Sequence, residues 1–503
     1  MKPLSLKTIV AVIGAGTMGA GIAQVAAQAG HRVLLYDANP ESAIKATSKT
    51  AKGLERLIER GKFSPEEVAA IMARLTPVAT LEDLSPAGLI IEAILEDLAI
   101  KQELFKNLEG ICPHDTILAS NTSSLSITTI ASALSRPENF IGLHFFNPAQ
   151  VMKLVEVISG SHSAPEIAER AFATAAAWGK KPVHATSTPG FIVNRVARPF
   201  YGEALRVLEE NGADAATIDA IMTQSAGFRM GPFELMDLIG NDINLAVTKS
   251  VYAAFQQNPR FKPSRYQEDL VAAGKFGRKS GSGFFDYSED ATQEEPVTSA
   301  AAPRREGVMV HGDLGVASPL VGLIEKAGIG LEHKKTDDDQ GYISVGSARL
   351  FLSDGALAAS HGDNAVAFDL ALDYEKATRI ALSPADKCDP VALTTAIGLF
   401  QALGKSVSVI RDVAGMVAMR SVCMLANEGA DAVHNQVCTA AAVDTAMCYG
   451  VNYPTGPLQW ADAIGLNSVE RVLDNMAALT DDPRYQCSAL IRDMVRSGSQ
   501  FRS

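Results

Sequence analysis

Thr8-Ile9-Val10-Ala11-Val12-Ile13 followed by Gly14-Ala15-Gly16-Thr17-Met18-Gly19 decides how this chain folds. The first six residues are an apolar, β-branched run, the pattern of a buried strand. The next six carry glycine at the spacing GxGxxG, and Ala20–Ala29 follows as a helix that Gly30 stops. Arg32-Val33-Leu34-Leu35-Tyr36-Asp37 is then a second strand, with its acid 18 residues past Gly19. A GxGxxG alone says little, but strand, glycine turn, helix, strand and acid in this order form the dinucleotide-binding βαβ unit. Gly14 permits the tight turn, Gly16 lets backbone approach a pyrophosphate, and Gly19 lets helix pack on strand. The pyrophosphate rests on the helix N-terminus. Asp37 is placed to bond the adenosine ribose and to repel a 2′-phosphate, so the expected cofactor is NAD rather than NADP.

Further along, two apolar strands each carry one polar group that a buried strand would not choose. His144 ends Phe140–Phe145, just before Asn147-Pro148, and Glu156 lies between Val155 and Val157. Alone, His144 reads as a satisfied core histidine and Glu156 as an edge-strand residue facing water. Together, behind a dinucleotide fingerprint, they read as a general base and the carboxylate that fixes its tautomer. Strands are also expected over Gly88–Leu95, Thr116–Ser120 and Lys181–Thr186, in an open parallel sheet. The first two end near Glu96 and Asn121, so these two residues and Ser123 are expected to line one crevice. Residues 41–75 read as helical, with scattered Lys and Arg on a solvated face.

Thr188-Pro189-Gly190 reads as a turn or hinge, after which the pattern is wholly helical. Asn194 is a polar residue within the apolar run that opens with Phe191-Ile192-Val193, where the ordinary alternative is a side chain bonding backbone at a domain junction. Pro199 should kink or break the helix that begins there. Lys275–Gly283 is a basic loop, and Tyr287 to about Gly307 is polar without periodicity, as a linker is. The remainder repeats the first half. A shift of 225 residues places Arg195 on Arg420, Glu203 on Glu428, Asp219 on Asp444 and Gly231-Pro232 on Gly456-Pro457. The same shift places His144 on Asp369, Glu156 on Ala381 and Asn194 on Met419. The copy keeps the fold's punctuation and loses the polar set, as expected if that set serves chemistry rather than packing.

With 503 residues, several cores are expected. The fold class that follows is α/β: an N-terminal Rossmann-type doubly wound sheet plus an all-α domain, then a degenerate second copy of both. The expected domains are 1–187 (NAD-binding), 188–287 (helical), 288–307 (linker), 308–411 (degenerate Rossmann-like) and 412–503 (second helical). A net charge of −12 argues against nucleic-acid or anionic-membrane partners. No apolar run reaches the ~18 residues of a membrane span. The six cysteines show no CxxC spacing, so no metal site is expected. With no leader pattern after Met1, the expected compartment is the cytoplasm.

The fingerprint, SNTSSL, GLHFFNP, KLVEVI, PGFIVNR and MGPFEL occur in an order that resembles the L-3-hydroxyacyl-CoA dehydrogenase family over essentially the whole chain. The duplication resembles its long bacterial form, which acts on 3-hydroxybutyryl-CoA or 3-hydroxyadipyl-CoA, the latter in phenylacetate degradation. The resemblance implies an acyl-CoA substrate, His144 as base with Glu156 as its partner, and Ser123 and Asn194 against the reacting oxygen. It also implies Glu96, Lys101, Asn121, Ser123 and Lys279 around NAD, beside the glycines and Asp37. For Lys101 and Lys279 the ordinary alternative is a surface lysine. The second copy is expected to stand in for a homodimer partner, with a higher oligomer left open. The rival readings are a dehydrogenase of a free hydroxy acid or sugar acid, and a non-catalytic NAD-binding protein.

Overall fold

Apolar runs alternating with amphipathic helices build an eight-stranded sheet from the first 186 residues. A computed structural model describes residues 1–292, 294–336 and 340–502. The strands are β1 (Ile9–Ile13), β2 (Val33–Tyr36), β3 (Leu75–Val78), β4 (Ala87–Glu92), β5 (Ile117–Ser120), β6 (Phe140–Phe145), β7 (Leu154–Ser159) and β8 (Lys181–Thr186). Their order is β3-β2-β1-β4-β5-β6-β7-β8. Val10, Val12, Leu35 and Ile91 are fully buried under the helix α1 (Thr17–Gln28) and its neighbours, so the strand interiors are apolar as a covered sheet requires.

Two expectations need correction. The sheet is parallel only from β3 to β6; β7 runs antiparallel to β6, and β8 parallel to β7. Eight residues separate β6 from β7, too few for a parallel crossover of a dozen or more. The helical reading of 41–75 also runs one residue too far. A Ser64–Glu67 capping box starts the helix Pro65–Arg74, but Leu75 opens β3. Pro77, which has no N–H for a ladder, is tolerated there because β3 is an edge.

The second sheet runs β10-β9-β11-β12-β13-β14-β15, with β9 (Gly307–His311), β10 (Gly330–Lys334), β11 (Tyr342–Val345), β12 (Ala348–Leu352), β13 (Ala365–Phe368), β14 (Arg379–Pro384) and β15 (Ser406–Val409). The 225-residue shift carries β7 onto β14. Like β6-β7-β8, β13-β14-β15 pair first antiparallel and then parallel. The segment before β9 is pinned to this sheet, Ser299 N–H donating to Val407 O.

Met1–Arg195 and Asn435–Val451 form one compact unit; Val196–His434 and Asn452–Ser503 form the other. In the first, the helix Ala440–Gly450 packs on β7 and β8. In the second, the shift-related helix Ala215–Gln224 packs on β14. Each sheet is therefore covered by a helix from the other repeat. In the second unit the helix Ala418–His434 packs on the helix Arg198–Glu209, and buried Arg420 reaches Glu203 at 2.8 Å. The helical run breaks at Ala197, and Pro199 falls in the first turn of the latter helix.

Candidate active site

The glycine turn has the geometry of a cradle. Gly14 has φ +95°, and a Cβ there would lie 2.5 Å from Ala93 O. A Cβ on Gly19 would lie 1.7 Å from Gly14 O, whereas Gly16 has nothing within 4 Å. Gly16 heads α1 without a side-chain cap, and no acid occupies the first turn. The helix thus presents open N–H groups and a positive end where a phosphate would lie. Asp37 follows β2 and is half-buried; its Oδ2 accepts from Ala15 N–H at 2.7 Å and its Oδ1 from Asn39 N–H. These residues fit a dinucleotide with a free ribose diol.

At the neighbouring strand ends a chain of charges holds the next loop. Glu92, which the sequence reading missed, ends β4 fully buried, accepting from Ser120 Oγ at 2.6 Å and from Lys101 Nζ at 2.5 Å. Lys101 is 1% exposed and also reaches Glu96 Oε2 at 3.3 Å, so the surface-lysine alternative is overturned for it. Glu96 Oε1 accepts from Thr122 Oγ1, Ser123 N–H, Ser124 N–H and Ser124 Oγ at 2.5–3.1 Å. Burial works against ionisation of Glu96. The Thr122 hydroxyl, Lys101 and the Ser124 and Ser123 donors outweigh it and hold the carboxyl below its ordinary range. The signal for Glu92 was an acid closing the apolar run Gly88-Leu89-Ile90-Ile91, nine residues before a lysine.

Asn121 spends its Oδ1 on Phe145 N–H at 2.8 Å, tying the end of β5 to β6 beside His144. His144 and Glu156 are direct cross-strand partners, and their side chains meet, Nδ1 to Oε2, at 2.6 Å. The carboxylate can only accept, so Nδ1 donates and Nε2 of the neutral ring is left as a base. Glu156 is fully buried, and its Oε1 accepts from Ile192 N–H at 3.0 Å and Val193 N–H at 2.9 Å. Phe191 takes the left-handed conformation (φ +47°) just before these two N–H groups. The Phe146 and Phe191 rings lie 4.4 and 5.9 Å from the imidazole. Asn194 Nδ2 reaches Ser123 O at 3.4 Å. His144, Glu156, Ser123, Asn194, Asn121, Glu96, Lys101, the glycines and Asp37 thus belong to one compact unit. Lys279 belongs to the other, where it pairs with Asp242 at 2.6 Å.

Known proteins are similar to this chain. Residues 9–188 match the 3-hydroxyacyl-CoA dehydrogenase NAD-binding domain, and 190–287 and 415–502 each match that family's C-terminal domain. Residues 350–413 match the reduced Rossmann-fold domain of 3-hydroxybutyryl-CoA dehydrogenase. A 3-hydroxyadipyl-CoA dehydrogenase of Escherichia coli is 40% identical over 98% of both chains. The crystal structure of a 3-hydroxybutyryl-CoA dehydrogenase from E. coli K12 superposes with a TM-score of 0.89, at 40% identity, covering 98% of this chain and 100% of that one. The human mitochondrial hydroxyacyl-coenzyme A dehydrogenase is 43% identical over 55% of this chain and 90% of its own. With the nucleotide cradle, the family domains in order and a full-length relative at this identity, the chain belongs to the 3-hydroxyacyl-CoA dehydrogenase family, and its cofactor is NAD.

Proposed function

We propose that the chain oxidises the C3 hydroxyl of (3S)-3-hydroxyadipyl-CoA or 3-hydroxybutyryl-CoA to the ketone, in the cytoplasm, as a step of aromatic (phenylacetate) or fatty-acid catabolism. The observation that carries this reading is the buried contact of His144 with Glu156. NAD, when bound, supplies the hydride acceptor. His144 Nε2 takes the hydroxyl proton, and the Glu156 charge stabilises the imidazolium that results. The Ser123 hydroxyl and the Asn194 amide orient the reacting oxygen. Gly14, Gly16 and Gly19 receive the pyrophosphate, and Asp37 the ribose. Glu96 and Asn121 fix the loop and strand end beside the cofactor, and Lys101 acts through Glu96. Lys279 stands as a cofactor contact on family resemblance alone.

The exchange of helices between repeats supports the idea that the second copy stands in for a homodimer partner. Removing residues 310–503 should then give an aggregating or newly dimeric fragment; an active, well-behaved monomer would contradict it. For the reaction itself, the test is kcat/KM with NAD across 3-hydroxyacyl-CoAs and the matching free hydroxy acids. Turnover of thioesters but not of free acids is expected. The reverse preference, or no turnover, would replace this reading by one of its rivals.

A further inference from the structure

Arg198 opens the helix Arg198–Glu209 and is only 7% exposed, yet no carboxylate pairs with it among the described residues. Its Nη1 donates to Thr248 Oγ1 at 3.1 Å, and its Nε is sealed off without an acceptor. The guanidinium lies over the Tyr201 ring, 4.9 Å from the centroid. Burial pulls it below the ordinary arginine range, so the protein surroundings work against its charge. Buried cations are ordinarily paired, and an arginine stays protonated in proteins, so an uncompensated one calls for an anion.

Arg198, Tyr201 and Thr248, which meet at this guanidinium, also wall a cavity of about 500 Å³, within the size range of small-molecule sites. Of the wall's four other arginines, Arg265 is exposed and three are engaged. Arg206 is on Glu203, Arg260 on Glu428 and Asp431, and Arg484 on Asp482. The second repeat shows that packing does not require this cation. The 225-residue shift carries Arg198 onto Cys423, Tyr201 onto Ala426 and Thr248 onto Leu473, all three fully buried and none charged.

We propose that the cavity walled by Arg198, Tyr201 and Thr248 is a carboxylate-binding site, with the Arg198 guanidinium as its fork. Its ligand is a free aliphatic carboxylate. A planar fork suits a carboxylate bidentately, which a lysine would not.

The experiment reads the thermal shift produced by free adipate in wild type and in Arg198→Met. Adipate is expected to raise the melting temperature of wild type but not of the variant. A wild type that adipate does not stabilise overturns the proposal without any variant. A shift that survives Arg198→Met overturns it too. Should Arg198→Met fail to fold by circular dichroism, Arg198→Gln, which keeps a donor for Thr248, carries the comparison.

Discussion

His144 on β6 and Glu156 on β7 occupy directly opposed register positions, and the antiparallel pairing puts both side chains on one face of the sheet, 2.6 Å apart. A one-residue slip of either strand would send one of them to the opposite face. Strand register therefore brings the proposed base and its proposed orienting acid together. His144→Gln should lower kcat by ~10²–10⁴, the usual worth of a positioned general base, with NAD affinity little changed. Near wild-type kcat in this variant, measured on 3-hydroxybutyryl-CoA, would remove His144 from the reaction.

Glu156 has two jobs, and the second repeat separates them. In the first repeat, Glu156 accepts from Ile192 and Val193 N–H. The shift-related groups, Val417 and Ala418 N–H, are accepted instead by Asp369, at the position of His144. Met416, like Phe191, is left-handed (φ +53°). A left-handed turn anchored by a carboxylate therefore belongs to the fold, and the contact of that carboxylate with an imidazole is what the first repeat adds. In Glu156→Gln, Oε1 still accepts from the N–H groups, but the amide can now donate to Nδ1 and turn the ring to the wrong tautomer. The expected result is a large loss of kcat with a melting temperature within a few degrees of wild type. Asp369→Asn should do the reverse, costing stability by ~1–3 kcal/mol with little effect on kcat of the folded enzyme. Equal kinetic damage from both substitutions would contradict this division.

The parts legible in the sequence are those set by local rules. Gly14, Gly16 and Gly19 answer to backbone sterics within six residues, and the isolated polarity of His144 and Glu156 stands out in apolar strands. The antiparallel turn of β7 was legible too, in the length of the β6–β7 connection, but parallel order is the stronger expectation after a βαβ start. Lys101 and Arg198 were not legible. Both look like ordinary helical surface cations until tertiary packing buries them, and no short-range pattern reports that.

The Glu92–Lys101–Glu96 chain predicts a loss that is first structural and then catalytic. Lys101→Met leaves Glu92 buried without its cation, and breaking a buried pair in this way typically costs ~3–5 kcal/mol. Glu96 also loses a partner, so the Ser123 loop should loosen and KM for NAD should rise. Because Glu96 titrates below the ordinary carboxylate range, its anchoring is lost only as pH falls through that depressed value. An acid limb near neutrality in kcat/KM therefore belongs to another group. Unchanged stability and unchanged KM for NAD in Lys101→Met would show that the chain is dispensable.

The role proposed for Asp37 is to set the choice of cofactor. Its two oxygens are steadied by Ala15 and Asn39 N–H, so the charge is held in place at the end of β2. A 2′-phosphate brought against it meets a fixed like charge, a juxtaposition worth several kcal/mol, so kcat/KM should favour NAD over NADP by at least ~10². Asp37→Asn removes the repulsion and should narrow the ratio, mainly through KM for NADP. Equal kcat/KM with the two cofactors in wild type would contradict the assignment.

Asp219 gives the second unit a pH dependence of its own. Its carboxylate accepts from Phe233 N–H at 3.0 Å and Glu234 N–H at 2.8 Å, at the start of the helix Pro232–Ile239. Burial nonetheless pushes its pKa up to about 7, against those two N–H groups and with help from the Glu234 and Asp237 charges. In an unfolded chain an aspartate titrates near ~3.9, so between these values the folded state binds the extra proton. The stabilisation is complete below about 4 and is lost as pH rises through about 7. Asp219→Asn, neutral throughout, should lose some stability at pH 5 through its poorer acceptor set, yet fall less between pH 5 and 8 than wild type does. Urea unfolding at several pH values checks this, and parallel profiles for the two proteins would show that Asp219 ionises as an ordinary carboxylate.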